Sequence, residues 1–324
     1  MNAKPPSVTE LSGTVDVRQQ LREDVLAGLS ATPKSIPCKY LYDEHGSNLF
    51  EAITTVPEYY PTRAETRILE LHSDEILERA NPEELVEIGS GASKKTRLLL
   101  EAMHRRGVNR YAPFDVSADA LENAVDALTS DYEWLEVEGF VGDFGEDLGR
   151  LPRRGRRLLA FLGSTIGNFE IGERMSFLEE ARSILTEEDS FLLGVDLVKD
   201  PAVIEAAYND AQGITAQFTT NLLHVLNREL DGDLPVEEFE HVATYSEERE
   251  RMEIRLRALS PVEARLEEVD LDVNFTKGEE LHAEISCKFT KESVSKSLAA
   301  AGFRLDSWHT DPQELFGLAL ARPA

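Results

Sequence analysis

The sequence has few cysteines and no long apolar run. Cys38 and Cys287 are the only cysteines in 324 residues, and two thiols this far apart do not make a disulfide framework or a metal knuckle. No stretch approaches the roughly 18 to 20 consecutive apolar residues of a membrane span, and the first residues lack a basic region followed by an apolar one. We therefore expect both thiols to be reduced and the protein to be cytoplasmic.

Metal-binding motifs and an excess of basic charge are also missing. The histidines form neither an H-E-x-x-H pattern nor another close pair, so the sequence predicts no metal site. They are His45, His72, His104, His224, His241, His282 and His309. The net charge is -27, which repels phosphate backbones and favours a small acceptor over a nucleic acid. This acidity fits a salty cytoplasm as well as it fits an ordinary acidic protein.

The order of apolar segments predicts the fold class. Apolar residues make up 41% of the chain, enough for a sizeable core in one large domain or two ordinary ones. A helix is predicted over residues 17–29, followed by a turn-rich stretch whose aromatic side chains indicate packing or a pocket. From about Glu84, short apolar runs alternate with amphipathic segments. That alternation is typical of βαβ units and a parallel sheet covered by helices.

After Asp196 the alternation weakens, which indicates a second module inserted into the first. Helices are predicted over 201–213, 218–230 and 236–241, and strands over 252–259, 264–272 and 283–289. The tail then returns to a helix followed by strands. The expected architecture is α/β, a mainly parallel sheet with helices on both faces and an inserted α+β module.

The strongest local motif runs from Val86 to Gly91, an apolar strand that ends in a glycine pair ahead of a helix. Glycines there let the backbone approach a ligand, and a helix N-terminus offers unpaired N–H groups. A dinucleotide fingerprint would need a third glycine where Lys94 stands, and a phosphate-binding P-loop fails at the same residue. The turn alone therefore indicates a ligand without identifying it.

Acidic residues end the next two strands. Asp115 ends the strand YAPFD, where a carboxylate can accept both hydroxyls of a ribose. It could equally cap the helix that begins at Ser117. Asp143, in Gly142-Asp143-Phe144, can accept from an adenine amino group. A glycine turn, a ribose acid and an adenine acid in this order are a methyltransferase arrangement, which predicts S-adenosylmethionine as the methyl donor.

The fourth strand ends in the segment FLGSTIGN, from Phe161 to Asn168. Ligands of open parallel sheets bind outside the carboxyl ends of the strands, so the acceptor is expected here. Asn168 offers an amide donor and a carbonyl acceptor, which suit a carboxylate or an amine. Asn168 could instead be a turn residue after Gly167, since asparagine is common in turns. Both interpretations stay open.

At this point the chain resembles the bacterial histidine-specific methyltransferases of ergothioneine biosynthesis. The similarity runs from about Val25 to Arg322 and includes PEYYPTRAE, EIGSGASKKTR, FLGSTIGN, NREL and EISCKF. The family implies a Rossmann-type class I methyltransferase core and trimethylation of the α-amine of L-histidine to hercynine, by a monomer. It implies a methyltransferase domain over 62–197 and 286–324 and a substrate-binding domain over 1–61 and 198–285.

The resemblance also implies roles for individual residues. The implied cofactor contacts are Tyr42, Gly89, Lys95, Asp115, Asp143 and Phe144. The implied histidine contacts are Tyr59, Asn168, Tyr208, Glu284 and Ser286, with Phe50 lining the pocket and Gly163 and Thr165 near the reacting amine. Glu284 and Ser286 are two residues apart on a strand, which puts them on one face and favours a paired role at the imidazole.

Catalysis is assigned to Asn168, Thr165 and Gly163. The amine must lose its proton before each transfer, and alignment of its nitrogen with the methyl group can supply much of the rate. The Asn168 carbonyl and the Thr165 hydroxyl are expected to orient the amine while the proton passes to water. No histidine base is implied.

One departure concerns the pocket-lining strand. The family commonly has methionine where this chain has Ile254, and the two side chains are similar in volume. An enzyme of the same fold that methylates another aromatic amino acid or a histidine derivative is therefore an alternative. A non-catalytic protein that only binds S-adenosylmethionine is a more distant one.

Overall fold

The computed structural model describes residues 7–11, 17–91, 93–143 and 147–324. These residues form two compact units. Unit 1 contains the described residues of 7–11, Pro61–Val198 and Phe289–Ala324, and unit 2 contains residues 17–60 and 199–288. In the described part of the chain, no helix has the length and apolar character needed to cross a membrane.

Strands occur in both units. In chain order they are β1 (Ser7–Glu10), β2 (Lys34–Ser35), β3 (Glu84–Ile88), β4 (Arg110–Asp115), β5 (Glu136–Val141), β6 (Arg157–Phe161), β7 (Ser190–Asp196), β8 (Phe239–Ser246), β9 (Arg251–Ala258), β10 (Val262–Leu266), β11 (Leu271–Phe275), β12 (Glu280–Cys287), β13 (Phe303–Thr310) and β14 (Phe316–Pro323). The helices are α1 (Val17–Ser30), α2 (Glu44–Ile53), α3 (Pro61–Ala80), α4 (Arg97–Arg105), α5 (Ala118–Asp131), α6 (Ile171–Ser183), α7 (Pro201–Tyr208), α8 (Ile214–Leu230) and α9 (Lys291–Ala300).

Unit 1 is built on an eight-stranded sheet in the order β1-β5-β4-β3-β6-β7-β14-β13. The pairs from β1 to β7 are parallel, and the pairs that β14 makes with β7 and β13 are antiparallel. The chain leaves β3 toward β4 on one side and later returns to β6 on the other, so the strand order reverses between β3 and β6. Ligands of open α/β sheets bind at such a reversal, outside the carboxyl ends of the strands.

Helices cover this sheet on both faces, as the sequence predicts. Leu158 and Ala160 of β6 lie in a core cluster with apolar side chains of α3, α4 and α5. Phe161, the next residue, packs against Phe177 of α6 with ring centroids 4.5 Å apart. Because successive side chains of a strand point to opposite faces, α6 lies on the other side of the sheet. Burial on both faces explains why β3, β6 and β7 are near-continuous apolar runs.

Unit 2 combines a four-stranded sheet, in the order β2-β12-β9-β8, with the hairpin β10-β11 and helices α1, α2, α7 and α8. The predicted helix over 236–241 is wrong, because a short 3-10 turn over Val236–Glu238 leads directly into β8. Pairing with β9 along its whole length overrides the local pattern there. The strand predicted over 264–272 is two strands of a hairpin, which reverses near Asp270 at a backbone φ of 50°.

The division of the chain differs from the predicted domains at its start and, by one to three residues, at the other boundaries. Residues 1–61 were assigned to the substrate-binding domain, but β1 pairs with β5 in the sheet of unit 1. A short edge strand with mixed burial carries little apolar signal, which is why the sequence did not reveal this pairing. The binding role of unit 2 stays a prediction.

Candidate active site

The glycine turn after β3 has the backbone that the sequence predicts. Gly89 and Gly91 have φ values of 64° and 47°, a region that side chains with a Cβ rarely adopt. A Cβ on Gly91 would meet no described atom within 4 Å, and one on Gly89 would meet only the Phe161 ring at 3.8 Å. The turn therefore borders open space in which a ligand can contact the backbone. The helix that follows begins at Arg97.

Asp115 ends β4 beside this turn. Its carboxylate accepts hydrogen bonds from the backbone N–H of Gly91 at 2.9 Å and of Ser117 at 3.1 Å. Burial raises the pKa of Asp115, and the hydrogen bonds from Gly91 and Ser117 oppose that rise. The helix-capping alternative is not what the structure shows, because the hydroxyl of Ser117 is the cap and accepts from the N–H of Ala120.

Asp143 follows the neighbouring strand β5. Gly142 N–H donates to the backbone carbonyl of Asp115 at 3.1 Å, so the two acidic residues lie at adjacent strand ends. The backbone N–H of Asp143 donates to the carboxylate of Asp147 at 3.0 Å, which fixes the start of the loop. Phe144, the remaining predicted cofactor contact of this loop, lies outside the described residues.

Lys95 is held by a carboxylate that the sequence interpretation missed. Glu65 of α3 is fully buried and accepts from the Lys95 ammonium. The same carboxylate accepts from the backbone N–H of Gly163 at 2.9 and 3.0 Å. Glu65 thus ties a predicted cofactor contact to a residue predicted near the reacting amine. The sequence did contain a clue to Glu65, since this residue ends the PEYYPTRAE motif.

The segment after β6 brings the predicted catalytic residues together. Gly163 and Ser164 have φ values of 81° and 59°, and a 3-10 turn over Thr165–Asn168 follows. The Ser164 hydroxyl accepts from Asp196 N–H of β7 at 2.9 Å, which anchors the turn to the next strand. The Thr165 hydroxyl donates to the Leu162 carbonyl at 3.2 Å. Its lone pairs therefore stay available to accept from an amine.

A buried network supports the glycine turn from within. Glu87 of β3 accepts from the Thr96 hydroxyl at 2.6 and 2.8 Å and from the Tyr111 hydroxyl. The hydroxyl groups of Tyr111 and Ser93 are 2.9 Å apart. Burial raises the pKa of Glu87 to about 7, although the hydrogen bonds from Thr96 and Tyr111 lower it. Its position inside an apolar strand gave the sequence interpretation no reason to single it out.

In unit 2, predicted contacts form an aromatic cluster. Tyr42 makes T-shaped contacts with Phe50 and Phe218 at centroid distances of 5.5 and 5.2 Å. Phe50 also meets Tyr59 at 6.3 Å, and Tyr59 meets Tyr208 at 6.5 Å. Burial raises the pKa of Tyr42 well above its usual value, and the nearby Glu284 carboxylate adds to this. Tyr42 is therefore a neutral phenol that can donate a hydrogen bond.

Tyr208, Ser286 and a buried lysine form a hydrogen-bonded triangle. The Tyr208 hydroxyl donates to Ser286 Oγ at 2.7 Å. The Lys288 ammonium donates to both oxygens at 2.9 Å and is 3% exposed. The sequence interpretation missed Lys288, although its spacing of two from Ser286 repeats the spacing of Ser286 from Glu284. The strand β12 thus carries Glu284 and Ser286 as predicted and leads directly into Lys288.

Ile254 lies directly across from Glu284 on the neighbouring strand β9. It is 1% exposed and belongs to an apolar cluster with Ile204 and Met252, against which Tyr208 packs. Cross-strand partners place their side chains on the same face of a sheet. The side chain that departs from the family pattern is therefore a neighbour of the predicted specificity residue.

His241 holds the end of α7 in place. Its Nε2 lies 2.9 Å from the carbonyl of Tyr208, and its Nδ1 lies 3.1 Å from the Thr219 hydroxyl. A carbonyl only accepts, so in the neutral ring Nε2 carries the proton and donates it to Tyr208. Burial lowers the pKa of His241, in keeping with a neutral ring. The backbone that presents Tyr208 is thereby fixed.

Comparison with known proteins identifies the family. A family described as "Histidine-specific methyltransferase, SAM-dependent" matches residues 21–323. The histidine N-alpha-methyltransferase of Mycolicibacterium smegmatis is 49% identical over 94% of this chain and 95% of its own length. The ergothioneine biosynthesis protein 1 of Neurospora crassa is 37% identical over 60% of this chain and 23% of its own length.

A solved structure shares the fold. The mitomycin 7-O-methyltransferase structure covers 94% of this chain and 67% of its own chain, with a TM-score of 0.50 and 13% identity. This likeness concerns the fold alone. Taken with the family match over nearly the whole sequence, it shows that the chain belongs to the S-adenosylmethionine-dependent histidine-specific methyltransferases and has their class I methyltransferase fold.

Proposed function

We propose that this protein transfers methyl groups from S-adenosylmethionine to the α-amine of L-histidine, three times, and so makes hercynine in the first step of ergothioneine biosynthesis. The observation that carries the proposal is the constellation on β12 and α7. A carboxylate, Glu284, lies on the same strand as the Ser286 hydroxyl, which accepts from Tyr208. An imidazole with two polar nitrogens needs this kind of mixed donor and acceptor set.

The donor set of unit 1 fits S-adenosylmethionine. Asp115 and Asp143 end adjacent strands and can accept from the ribose hydroxyls and the adenine amino group. Gly89, which has a positive φ and no side chain, lets the ligand approach the backbone beside them. Lys95 is proposed as a further contact, oriented by Glu65. The sulfonium of the bound donor supplies the methyl group.

The histidine substrate is proposed to bind through Tyr59, Tyr208, Glu284, Ser286 and Asn168. Glu284 accepts from an imidazole N–H, and a hydrogen bond to an ionised group is about twice as strong as a neutral one. Tyr59, which makes a T-shaped contact with Tyr208, adds apolar contact for the imidazole ring. Asn168 and Tyr208 hold the carboxylate and amine end.

The transfer requires a neutral amine. Its nitrogen lone pair forms the new bond to carbon as the bond from carbon to sulfur breaks, and the proton released before each step passes to water. In the first two transfers, Thr165 Oγ and the Asn168 carbonyl accept from the remaining N–H groups, which directs the lone pair. Gly163 places no side chain at this point, so the growing ammonium group has room.

An acceptor panel tests the proposal. Purified protein is mixed with S-adenosylmethionine and, separately, histidine, tryptophan, tyrosine or a histidine analogue lacking the α-amine, and the products are read by mass. We expect methylation of histidine alone. Methylation of tryptophan or tyrosine in preference would contradict the proposal and support the alternative acceptor that Ile254 suggests. Ile254→Met would then be expected to restore histidine as the preferred acceptor.

Cytoplasmic residence and a monomeric state complete the proposal. They rest on the sequence pattern and on the family resemblance. A size-exclusion measurement with light scattering should give a mass near the 36.2 kDa of one chain.

A further inference from the structure

The structure brings together three potential metal ligands that are far apart in the sequence. His72 and Glu75 lie three residues apart on α3, and His309 lies near the end of β13. One ligand atom of each side chain lies within 4.8 Å of the other two. Among the residues that the structure describes, this is the one such group of three.

The distances suit a small divalent cation. Glu75 Oε2 lies 3.6 Å from His72 Nδ1 and 3.9 Å from His309 Nδ1. Zinc binds nitrogen and oxygen at about 2.0 to 2.2 Å, so ligands at tetrahedral positions lie about 3.4 Å apart. Small side-chain rotations would shorten the observed separations of 3.6 and 3.9 Å to this distance. His72 and Glu75 can make them, since their side chains are 31% and 46% exposed, whereas His309 is 6% exposed and fixed.

Neighbouring groups direct the ligand atoms toward one point. Arg79 Nε binds the other carboxylate oxygen, Glu75 Oε1, at 3.1 Å and leaves Oε2 facing the imidazoles. Ser307 Oγ lies 2.9 Å from His309 Nε2, on the far side of the ring from Nδ1. A ligating histidine typically donates its second N–H to such an oxygen, which fixes its tautomer and orientation. These contacts are the support that a metal site requires.

The imidazole rings of His72 and His309 lie close together, and both face the Glu75 carboxylate. Their centroids are 4.6 Å apart and the rings are tilted by 35°, so both present an edge to the same carboxylate. The positive charge of Arg79 opposes a cation, and Asp306, 3.9 Å from that guanidinium, offsets part of it. The net charge of -27 adds a general attraction for cations.

We propose that His72, Glu75 and His309 bind a divalent transition-metal ion of the zinc type, which links α3 to the edge strand β13. Two imidazoles and one carboxylate suit zinc, and also cobalt or nickel, better than calcium or magnesium. Water completes the coordination. This proposal replaces the absence of a metal expected from the sequence, where the histidine pair is separated by most of the chain.

The site lies apart from the glycine turn. Four steps across the sheet, from β3 through β6, β7 and β14 to β13, separate the two strands, which is about 19 Å at roughly 4.8 Å a step. The ion therefore has a structural role, and methyl transfer does not pass through it. Binding to the folded protein should raise the melting temperature as the metal concentration rises.

Metal titration of the untagged, full-length protein tests this. After removal of metals with a chelator, Zn²⁺ is added in competition with a chromophoric chelator, and Co²⁺ is added to read the visible spectrum. We expect one ion per chain, a tetrahedral cobalt spectrum and a rising melting temperature. His72→Gln changes a half-buried side chain and Glu75→Gln an exposed one, and each should weaken binding at least about tenfold.

The matched control is His104→Gln. His104 belongs to the same unit but stacks on Trp134, with centroids 4.1 Å apart, and its replacement should leave zinc affinity unchanged. Zinc affinity that is the same in wild type and in the His72 and Glu75 variants would overturn the proposal. Several weak ions per chain without a cobalt spectrum would overturn it as well, since they indicate only general attraction to an acidic surface.

Discussion

At the scale of single residues, Glu284 is where we expect acceptor choice to be decided. Among the proposed histidine contacts it is the only carboxylate. Glu284→Gln keeps the size of the side chain and removes its charge. Because hydrogen bonds to charged groups contribute about 1.5 to 3 kcal/mol, kcat/KM for histidine should fall roughly ten- to hundredfold.

The control for this variant is Glu280→Gln on the same strand. Glu280 pairs with Arg257 at 2.7 Å and Arg255 at 3.1 Å and has no proposed role in binding. Steady-state kinetics with histidine should show nearly unchanged kcat/KM in the control. Equal losses in the two variants would mean that Glu284 has no special part in recognition.

Glu65 is expected to act as a positioning residue for the methyl donor. Glu65→Gln leaves the Lys95 ammonium without its buried counter-ion and offers Gly163 one carbonyl acceptor instead of two carboxylate oxygens. The KM for S-adenosylmethionine should rise by about tenfold, because the Lys95 ammonium loses the buried carboxylate that orients it, while the KM for histidine changes less. Initial-rate kinetics with each substrate varied in turn measure this split. A loss confined to histidine would contradict the assigned role.

Glu87 gives the protein a predictable pH dependence. Its folded-state pKa is about 7, against 4.5 for an ordinary glutamate. Between these values the folded protein keeps a proton that the unfolded chain has lost, so stability falls as pH rises through this window. A shift of this size is worth up to about 3 kcal/mol. The Glu87→Gln variant lacks this titrating carboxyl group and therefore loses this pH dependence.

The stability of the Glu87→Gln variant relative to wild type should therefore increase as the pH is raised from 4.5 to above 7. Denaturant unfolding of both proteins at a series of pH values measures the difference, in which other titrating groups cancel. A difference that stays constant with pH, or that decreases, would show that Glu87 ionises as an exposed glutamate does.

At the scale of elements, α3 packs closely on β7 at Gly194. A Cβ on Gly194 of β7 would collide with Glu65 Oε1, so Gly194→Ala should displace the carboxylate that holds Lys95 and Gly163. Overpacking of this kind typically costs about 1 to 3 kcal/mol. Chemical unfolding and the KM for S-adenosylmethionine should both report the change.

Gly172→Ala is the matched comparison. Gly172 lies in the first turn of α6, and a Cβ there would meet no described atom within 4 Å. Alanine favours a helix by up to about 1 kcal/mol over glycine, so this variant should be at least as stable as wild type. If Gly194→Ala were equally well tolerated, the close packing of β7 on Glu65 would be refuted.

The sequence predicted elements well where packing and local pattern agree. The strands that end at Ile88, Asp115 and Phe161 are apolar, and the structure buries β3 and β6 completely. Prediction failed where pairing decided the outcome. Strand β8 has only two fully buried positions and gains its conformation from β9, which a single segment does not reveal.

The same distinction holds for the candidate site. Gly89 follows β3 and Asp115 ends β4, so their position at the carboxyl ends of the strands could be derived from the sequence. Tyr208 and Glu284 could be selected only through the family resemblance, since their partners are distant in the chain. Glu65 and Lys288 were missed because burial of a charge depends on its partners, and those partners are visible only in the folded structure.

At the scale of the whole molecule, the fold joins residues that the sequence separates. The chain leaves unit 1 after Val198 and returns to it at Phe289, so β13 and β14 complete a sheet begun more than a hundred residues earlier. This return also brings His309 to His72. Any prediction made from neighbouring residues misses such a cluster, and the proposed metal link depends on it.

The central claim is transfer of methyl groups to one particular nitrogen. The most direct measurement uses S-adenosylmethionine with a ¹³C-labelled methyl group and histidine labelled with ¹⁵N at the α-amine, followed by NMR of the product. Our account predicts three equivalent labelled methyl groups, all coupled to the α-nitrogen. Labelled methyl groups on the imidazole, or no transfer to histidine at all, would contradict it.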